Sequence, residues 1–475
     1  MSNKNSFLWA LLERIGSVGF QFVLQLIIAR ILLPSDYGIC AILLVFVNIC
    51  TLFIEGGLPA ALIQQKNCST KDYSTVFFIT FVLSCVFYGV IFFLSPFIAE
   101  FFSNDIIIPG LRIISLTLVL GSFNSVQIAV LRKSFQFKKI FISNTIATIL
   151  SSFISIYLAY KGYGAWAIII QIVTQRIIST IITFLLLRWY PHWVFSWDIA
   201  KKLFSYGWKL MMSNILSVIV TDIYTIIIGR HFSKSELGLY DTGTKIPNSI
   251  SSTISSTLTN YLFPLYSSFQ DDSSKIKTYI KKSNSLCSFI MFPIMFCMAA
   301  MADPLIRIVL TDKWSNAAIF MQLACFLYAF YPIHMNNLQA INAIGRSDIG
   351  LKLEIIKKGL DLLFLIAFIP CGIVWLAFGR MLTSVIGLWI NMSPNKKLVN
   401  YSFREQIGDI LPTLAISLIV FVIIIFVSKF IKTSDIHLLS IQILISIISY
   451  SILSYLFNRK ILFSVLSIIN IKRVI

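Results

Sequence analysis

Polar side chains recur at helical spacing inside four long helical stretches of this chain. Near the N-terminus Arg14, Ser17, Gln21 and Gln25 follow one another at three or four residues, which puts them on one helix face. Asn48, Thr51 and Glu55 keep that spacing in the next stretch. Further along come Lys209, Ser213, Ser217, Thr221 and Tyr224, then Lys245, Asn248, Ser252, Ser255 and Thr259. Cations, amides and hydroxyls on one face can line a wet passage and hold a polar solute, and a carboxylate among them can carry a proton. Helix packing competes with this, because Ser, Thr and Asn also join apolar helices through close approach and hydrogen bonds. Arg14, Glu55 and Lys245 favour the passage. An unpaired charge at bilayer depth costs at least ~2.5 kcal/mol on insertion scales, and packing requires none. Arg176, beside Gln171 and Gln175, and Asp222 are equally deep, and each suits either an interhelical pair or a cavity. The eight cysteines are scattered without a C-x-x-C, and His192, His231, His334 and His437 show no ligand spacing. No metal and no cofactor is expected.

The elements that carry these stripes are membrane helices. The chain has 475 residues, 57% hydrophobic and 12% charged, with a mean hydropathy of +0.85. Soluble domains keep charge near ~25% of residues, so this chain cannot cover a water-facing surface. Its apolar runs reach the ~20 residues that cross a bilayer as helix, and about fourteen spans can be read between 7–33 and 437–457. The net charge of +19 does not point to nucleic acid, because alternate connections collect it. Lys66 and Lys71, Arg132 to Lys139, Lys201 and Lys202, Lys275 to Lys282, and Lys396 to Arg404 share one side, whereas Lys161, Arg230, Lys234, Lys313 and Lys429 are sparse on the other. That is the positive-inside pattern, with both termini cytoplasmic and some attraction to anionic membrane lipid. The first span is too long for a signal-peptide core and "PSDYG" is no small-residue cleavage site, so it is expected to stay as a helix. Trp189, Trp193, Trp197 and Trp208 mark the interface around "FSWDIAKKLFSYG", read as a short amphipathic helix on the cytoplasmic face.

The chain also repeats itself. Arg30, Ser35, Asp36 and Gly38 in "RILLPSDYG" return as Arg230, Ser235, Glu236 and Gly238 in "RHFSKSELG", a shift of 230 − 30 = 200 residues. At that shift "IIAR" faces "IIGR" and Asn48 faces Asn248, while "GYGAWAI" and "CGIVWLA" echo each other later. The motif is expected to be a tight outer hairpin, with Ser35 and Ser235 capping, Asp36 and Glu236 in the first turn and the glycines allowing close packing. Six spans per copy is an even number, so the repeats are parallel, as in transporters built from two rocking lobes. The expected organisation is all-α: an N-lobe over 1–190, an amphipathic linker at 191–206, a C-lobe over 207–392, and two further spans with a tail over 393–475.

Taken in order, "ARILLPSDYG", "IEGGLPAALIQ", "LRIISLTLVLGSFNSVQIAVLRKSFQFKK", "GYGAWA", "IIIGRHFSKSELGLYD" and "INAIGRSDIGLKLEIIKKGL" resemble the polysaccharide-transport branch of the multidrug/oligosaccharidyl-lipid/polysaccharide exporter superfamily, across roughly residues 5–400. The resemblance implies two six-helix lobes in a V around a central cavity, plus two spans. It further implies a flippase of the bacterial cytoplasmic membrane that carries a polyprenyl-diphosphate-linked oligosaccharide to the outer leaflet, alongside other polysaccharide-assembly proteins. On that substrate Arg14, Lys209 and Lys245 become phosphate candidates, Gln21, Gln25, Asn48 and Asn248 sugar candidates, and Arg176 a further cavity residue. Glu55 or Asp222 would couple transport to a proton or sodium gradient. A drug or small-cation exporter of the same superfamily would want a more acidic cavity. A polysaccharide polymerase or glycosyltransferase would want a large external loop or soluble domain, and the external loops here span about a dozen residues or fewer. No enzymatic activity is expected.

Overall fold

A computed structural model of the chain describes residues 19–21, 23–55, 57–65, 68–187, 189–270, 272–431, 433–459 and 461–463. Its regular structure among these residues is wholly helical. Among the described residues ten helices are long and apolar enough to cross a membrane, as the composition requires: in hydrocarbon a helix satisfies every backbone group within its own segment. Residues 1–238 and 239–475 form two compact units.

In the first unit α1 (Gly19–Ile31) precedes α2 (Pro34–Glu55), the short α3 (Leu58–Gln64) and α4 (Thr70–Phe102). Then come α5 (Ile107–Ile114), α6 (Leu116–Lys133), α7 (Phe137–Tyr160), α8 (Ala165–Leu187) and α9 (Trp197–His231). The start of α4 is fixed by a capping box: Ser69 Oγ accepts from Asp72 N, and Asp72 Oδ2 accepts from Ser69 N at 2.6 Å. α7 and α8 are joined by a turn whose Gly162 and Gly164 take φ of 81° and 54°, a region open to glycine. Their seam is polar. Ser143 Oγ donates to Ser179 O at 2.9 Å and lies 2.8 Å from Thr183 Oγ1, Gln171 Nε2 donates to Ser152 Oγ at 3.0 Å, and Gln175 Nε2 to Thr148 Oγ1 at 2.9 Å. These hydroxyls and amides are packing groups.

Three local expectations are corrected here. The segment "FSWDIAKKLFSYG" does not form a separate surface helix: α9 starts at Trp197 and continues for 35 residues. Nothing in the segment breaks a helix, since its one glycine is tolerated in a helix interior. Arg112, near the end of its span and so expected by its position to extend toward the interface, donates from Nε to Ser95 Oγ at 3.1 Å and stacks over Phe92 at 4.1 Å. In the repeated hairpin the serines at 35 and 235 do not cap. Asp36 accepts from Leu33 N at 2.9 Å, and Glu236 accepts from Ser233 N at 2.9 Å while Ser233 Oγ takes Glu236 N at 3.1 Å.

The two copies of that hairpin meet. A Cβ placed on Gly38 would overlap the carbonyl of Lys234, and one placed on Gly238 would overlap the carbonyl of Pro34. Those same Cβ positions fall 3.2 Å and 3.0 Å from the amide nitrogen of the other glycine. Lys234 folds back to donate to Gly229 O at 2.7 Å and lies over Phe102, and Arg230 lies over Phe101.

The second unit contains α10 (Lys234–Ser267, whose first turn belongs to the first unit), α11 (Ser273–Ala300), α12 (Ala302–Leu310), α13 (Ala317–Ala329), α14 (Tyr331–Ala343) and α15 (Ser347–Phe368). α16 (Ile373–Met392), α17 (Asn395–Val399), α18 (Phe403–Phe430) and α19 (Asp435–Phe457) complete it. α15 carries charge into the bundle. Sequence spacing pairs Glu354 with Lys358 and Lys357 with Asp361. In the structure Lys357 Nζ meets Glu354 Oε1 at 2.5 Å, and Asp361 Oδ1 accepts from Thr383 of α16 at 2.5 Å. Arg380 donates to the Tyr240 hydroxyl at 2.8 Å, so these charges are held by neighbours within the unit.

Candidate functional site

Glu55 is the last residue of α2, where the helix dipole disfavours a carboxylate. The chain leaves the helix through Gly57, in the left-handed region at φ 72°, and re-enters it at α3 with Leu58 and Pro59 in the first turn. Two cations offset the acid: Arg132, exposed in the last turn of α6, and Arg176, half-buried midway along α8. Arg176 gets its place from a missing side chain, because a Cβ at Gly121 of α6 would come 2.6 Å from its Nη2.

Around these groups the first unit opens two chambers. One, of about 300 Å³, is lined by Glu55, Pro59, Ile63, Asn124, Ser125, Ile128, Arg132, Asn144 and Arg176, among others. The second, of about 280 Å³, is lined by Val47, Thr51, Thr117, Asn144, Ile172, Gln175, Arg176 and Ser179. Arg176 and Asn144 face both, and Thr51, Glu55, Ser122, Ser125 and Arg176 meet in the narrow gap beside Gly121. Asn124 donates to Ser179 Oγ at 3.3 Å while its Oδ1 has no partner within the protein. Two guanidinium groups against one carboxylate leave an excess of positive charge. Guanidinium groups recognise phosphate oxygens in pairs, and amides and hydroxyls can replace the water around sugar hydroxyls.

The other candidates lie elsewhere. Gln21 on α1 and Asn48 on α2 are exposed, and Gln25 is half-buried, but none lines either chamber. Lys245 and Asn248 are exposed on α10 of the second unit. Asp222 is buried on α9, its Oδ2 without a hydrogen-bond partner. Arg14 lies outside the described residues, as does the side chain of Lys209. Three chamber residues had not been singled out as site residues. Arg132 reads in sequence as one more loop cation, and Asn124 and Asn144 are isolated amides with no stripe to mark them. For Asn124, the position midway along α6 is the available signal. Among the described residues no group of three His, Cys, Asp or Glu side chains could hold a metal.

Comparison with known proteins agrees with this architecture. The chain is 24% identical over 65% of its length to the succinoglycan biosynthesis transport protein ExoT of Rhizobium meliloti (strain 1021), a match spanning 63% of that relative. It is 21% identical over 86% of its length to the lipopolysaccharide biosynthesis protein WzxC of Escherichia coli (strain K12), covering 85% of it. Its fold superposes on the lipid II flippase MurJ in an inward closed conformation with a TM-score of 0.75, at 16% identity, covering 95% of this chain and 100% of the other. Residues 27–319, well over half of the 475, match the model of one family, and the chain belongs to that family of polysaccharide biosynthesis proteins, as a polytopic all-helical membrane member.

Proposed function

We propose that this protein is a flippase that moves a polyprenyl-diphosphate-linked oligosaccharide, a repeat unit of O-antigen, capsule or exopolysaccharide, from the cytoplasmic to the outer leaflet. The observation that carries this is the pair of chambers around Arg132, Arg176 and Glu55, lined with amides and hydroxyls. A diphosphate and several sugars cannot enter hydrocarbon unaccompanied, and this lining supplies both kinds of partner they need. The names of the relatives, a succinoglycan transport protein and a lipopolysaccharide biosynthesis protein, support the same substrate class.

The reading places fourteen spans in the bacterial cytoplasmic membrane, both termini inside, in lobes over 1–190 and 207–392, and works by alternating access. Arg14, Lys209 and Lys245 add phosphate contacts to those of Arg176. Gln21, Gln25, Asn48 and Asn248 add sugar contacts, and Glu55 or Asp222 couples the cycle to an ion gradient. Other polysaccharide-assembly proteins receive the product. The direct test is translocation of a labelled polyprenyl-diphosphate oligosaccharide in liposomes by the wild type and by Arg132→Ala and Arg176→Ala. Wild-type rates in both variants would remove the chambers from the substrate path. Export of small cationic drugs without glycan translocation would move the protein to the drug-antiporter reading.

A further inference from the structure

We propose that the groove between α4 and the first turns of α9 binds one acyl chain of an anionic phospholipid, with the lipid phosphate at Lys201. The groove has a volume of about 760 Å³ and is walled by Phe78, Val82 and Leu83 of α4, by Trp193 and Trp197, and by Phe204 of α9. Lys201 is its one charged lining residue, with Lys202 beside it.

Position, size and charge argue together. α4 has 33 residues and α9 has 35. At ~1.5 Å per residue each is about 50 Å long, well beyond a hydrocarbon core of ~30 Å, so each reaches the headgroup zone at one end or both, and the tryptophans around the start of α9 assign its first turns to that level. Aromatic residues confirm that level: Trp193 is 93% exposed and Trp197 72%, values suited to an interfacial belt and costly in water. The groove is built rather than accidental. His192 N donates to Ser74 Oγ at 3.0 Å, tying the segment before α9 to α4, and Trp193 packs on Phe78 at 5.4 Å between ring centres. At ~30 Å³ per atom, the share a water takes in the liquid, the groove holds roughly 25 atoms. That accommodates a single acyl chain and is far too small for a long polyprenyl tail. A cation at the mouth of an apolar slot selects a chain that ends in an anion. The lysine therefore distinguishes phosphatidylglycerol from phosphatidylcholine, whose headgroup carries its own cation.

The purified full-length protein, delipidated in mild detergent and given equimolar phosphatidylglycerol and phosphatidylcholine, should retain the anionic lipid about fivefold over the zwitterionic one in native mass spectrometry, the preference expected of one lysine. Lys201→Gln should abolish the preference, and Val82→Trp should deplete both lipids by filling the slot. Val82 is 57% exposed and Lys201 is exposed, so neither change disturbs a core. Equal retention of the two lipids by the wild type, or unchanged retention in Val82→Trp, would overturn the proposal. So would recovery of a cell-derived polyprenyl phosphate from the groove in place of phospholipid.

Discussion

The guanidinium of Arg176 rests on Gly121, one helix away, in a space that a single methyl group would close: a Cβ there would stand 2.6 Å from Nη2 and 3.4 Å from Nε. The side chain that joins the two chambers is thus positioned by an absence. Gly121→Ala should push the guanidinium out of the gap and weaken substrate handling without removing the charge. Losing a charge-assisted contact costs about 2 kcal/mol, or roughly 30-fold in affinity, so Gly121→Ala should approach Arg176→Ala in a binding titration with a polyprenyl diphosphate. Binding at wild-type strength in Gly121→Ala would show that the position of Arg176 is not critical.

Glu55 sits where the dipole of α2 disfavours a carboxylate, yet it faces Arg132 and Arg176 across one chamber. If it carries the coupling proton, Glu55→Gln should translocate substrate down its own gradient but lose the stimulation given by an imposed pH difference. Asp222→Asn is the matched comparison. Gradient-driven transport undiminished in both variants would confine these acids to structural roles.

The hydroxyl seam of α7 and α8 should matter modestly. Interhelical hydrogen bonds in membranes average about 0.6 kcal/mol, so Ser143→Ala, which loses contacts to Ser179 and Thr183, should lower stability by about that amount. Unfolding in detergent with a graded denaturant measures it. A loss several times larger would mean that the seam does more than join two helices.

The hairpin glycines should be the least replaceable residues outside the chambers. Gly38→Ala and Gly238→Ala each drive a methyl into a backbone carbonyl, which unlike a side chain cannot rotate away. Overpacking of this kind costs about 1–3 kcal/mol in ordinary cores and should reach the top of that range here. Yield of folded protein after extraction, compared with Gly89→Ala on an open face of α4, gives the contrast. Equal yields would discard it.

The membrane class and the all-helical fold could be read from composition, because each is a property of long segments. The chambers were read only in part. Glu55 and Arg176 stood out because charge at depth is rare, but nothing in one dimension says that they share a space. Arg132 is hidden among the basic residues of a connection, and Asn124 and Asn144 share a chamber, each beside Ser179, only once α6, α7 and α8 pack together. The cap was misread for a local reason. Ser35 lies next to the acid, yet Asp36 and Glu236 reach back three residues, to Leu33 and Ser233, and that choice depends on where the helix begins.

The contact between Gly38 and Gly238 joins the two occurrences of the repeated motif main chain to main chain. A joint made of bare main chain has no rotamers to adjust. It also makes each copy the other's wall. Neither glycine can be enlarged alone, because a side chain on either one would meet the main chain beside the other.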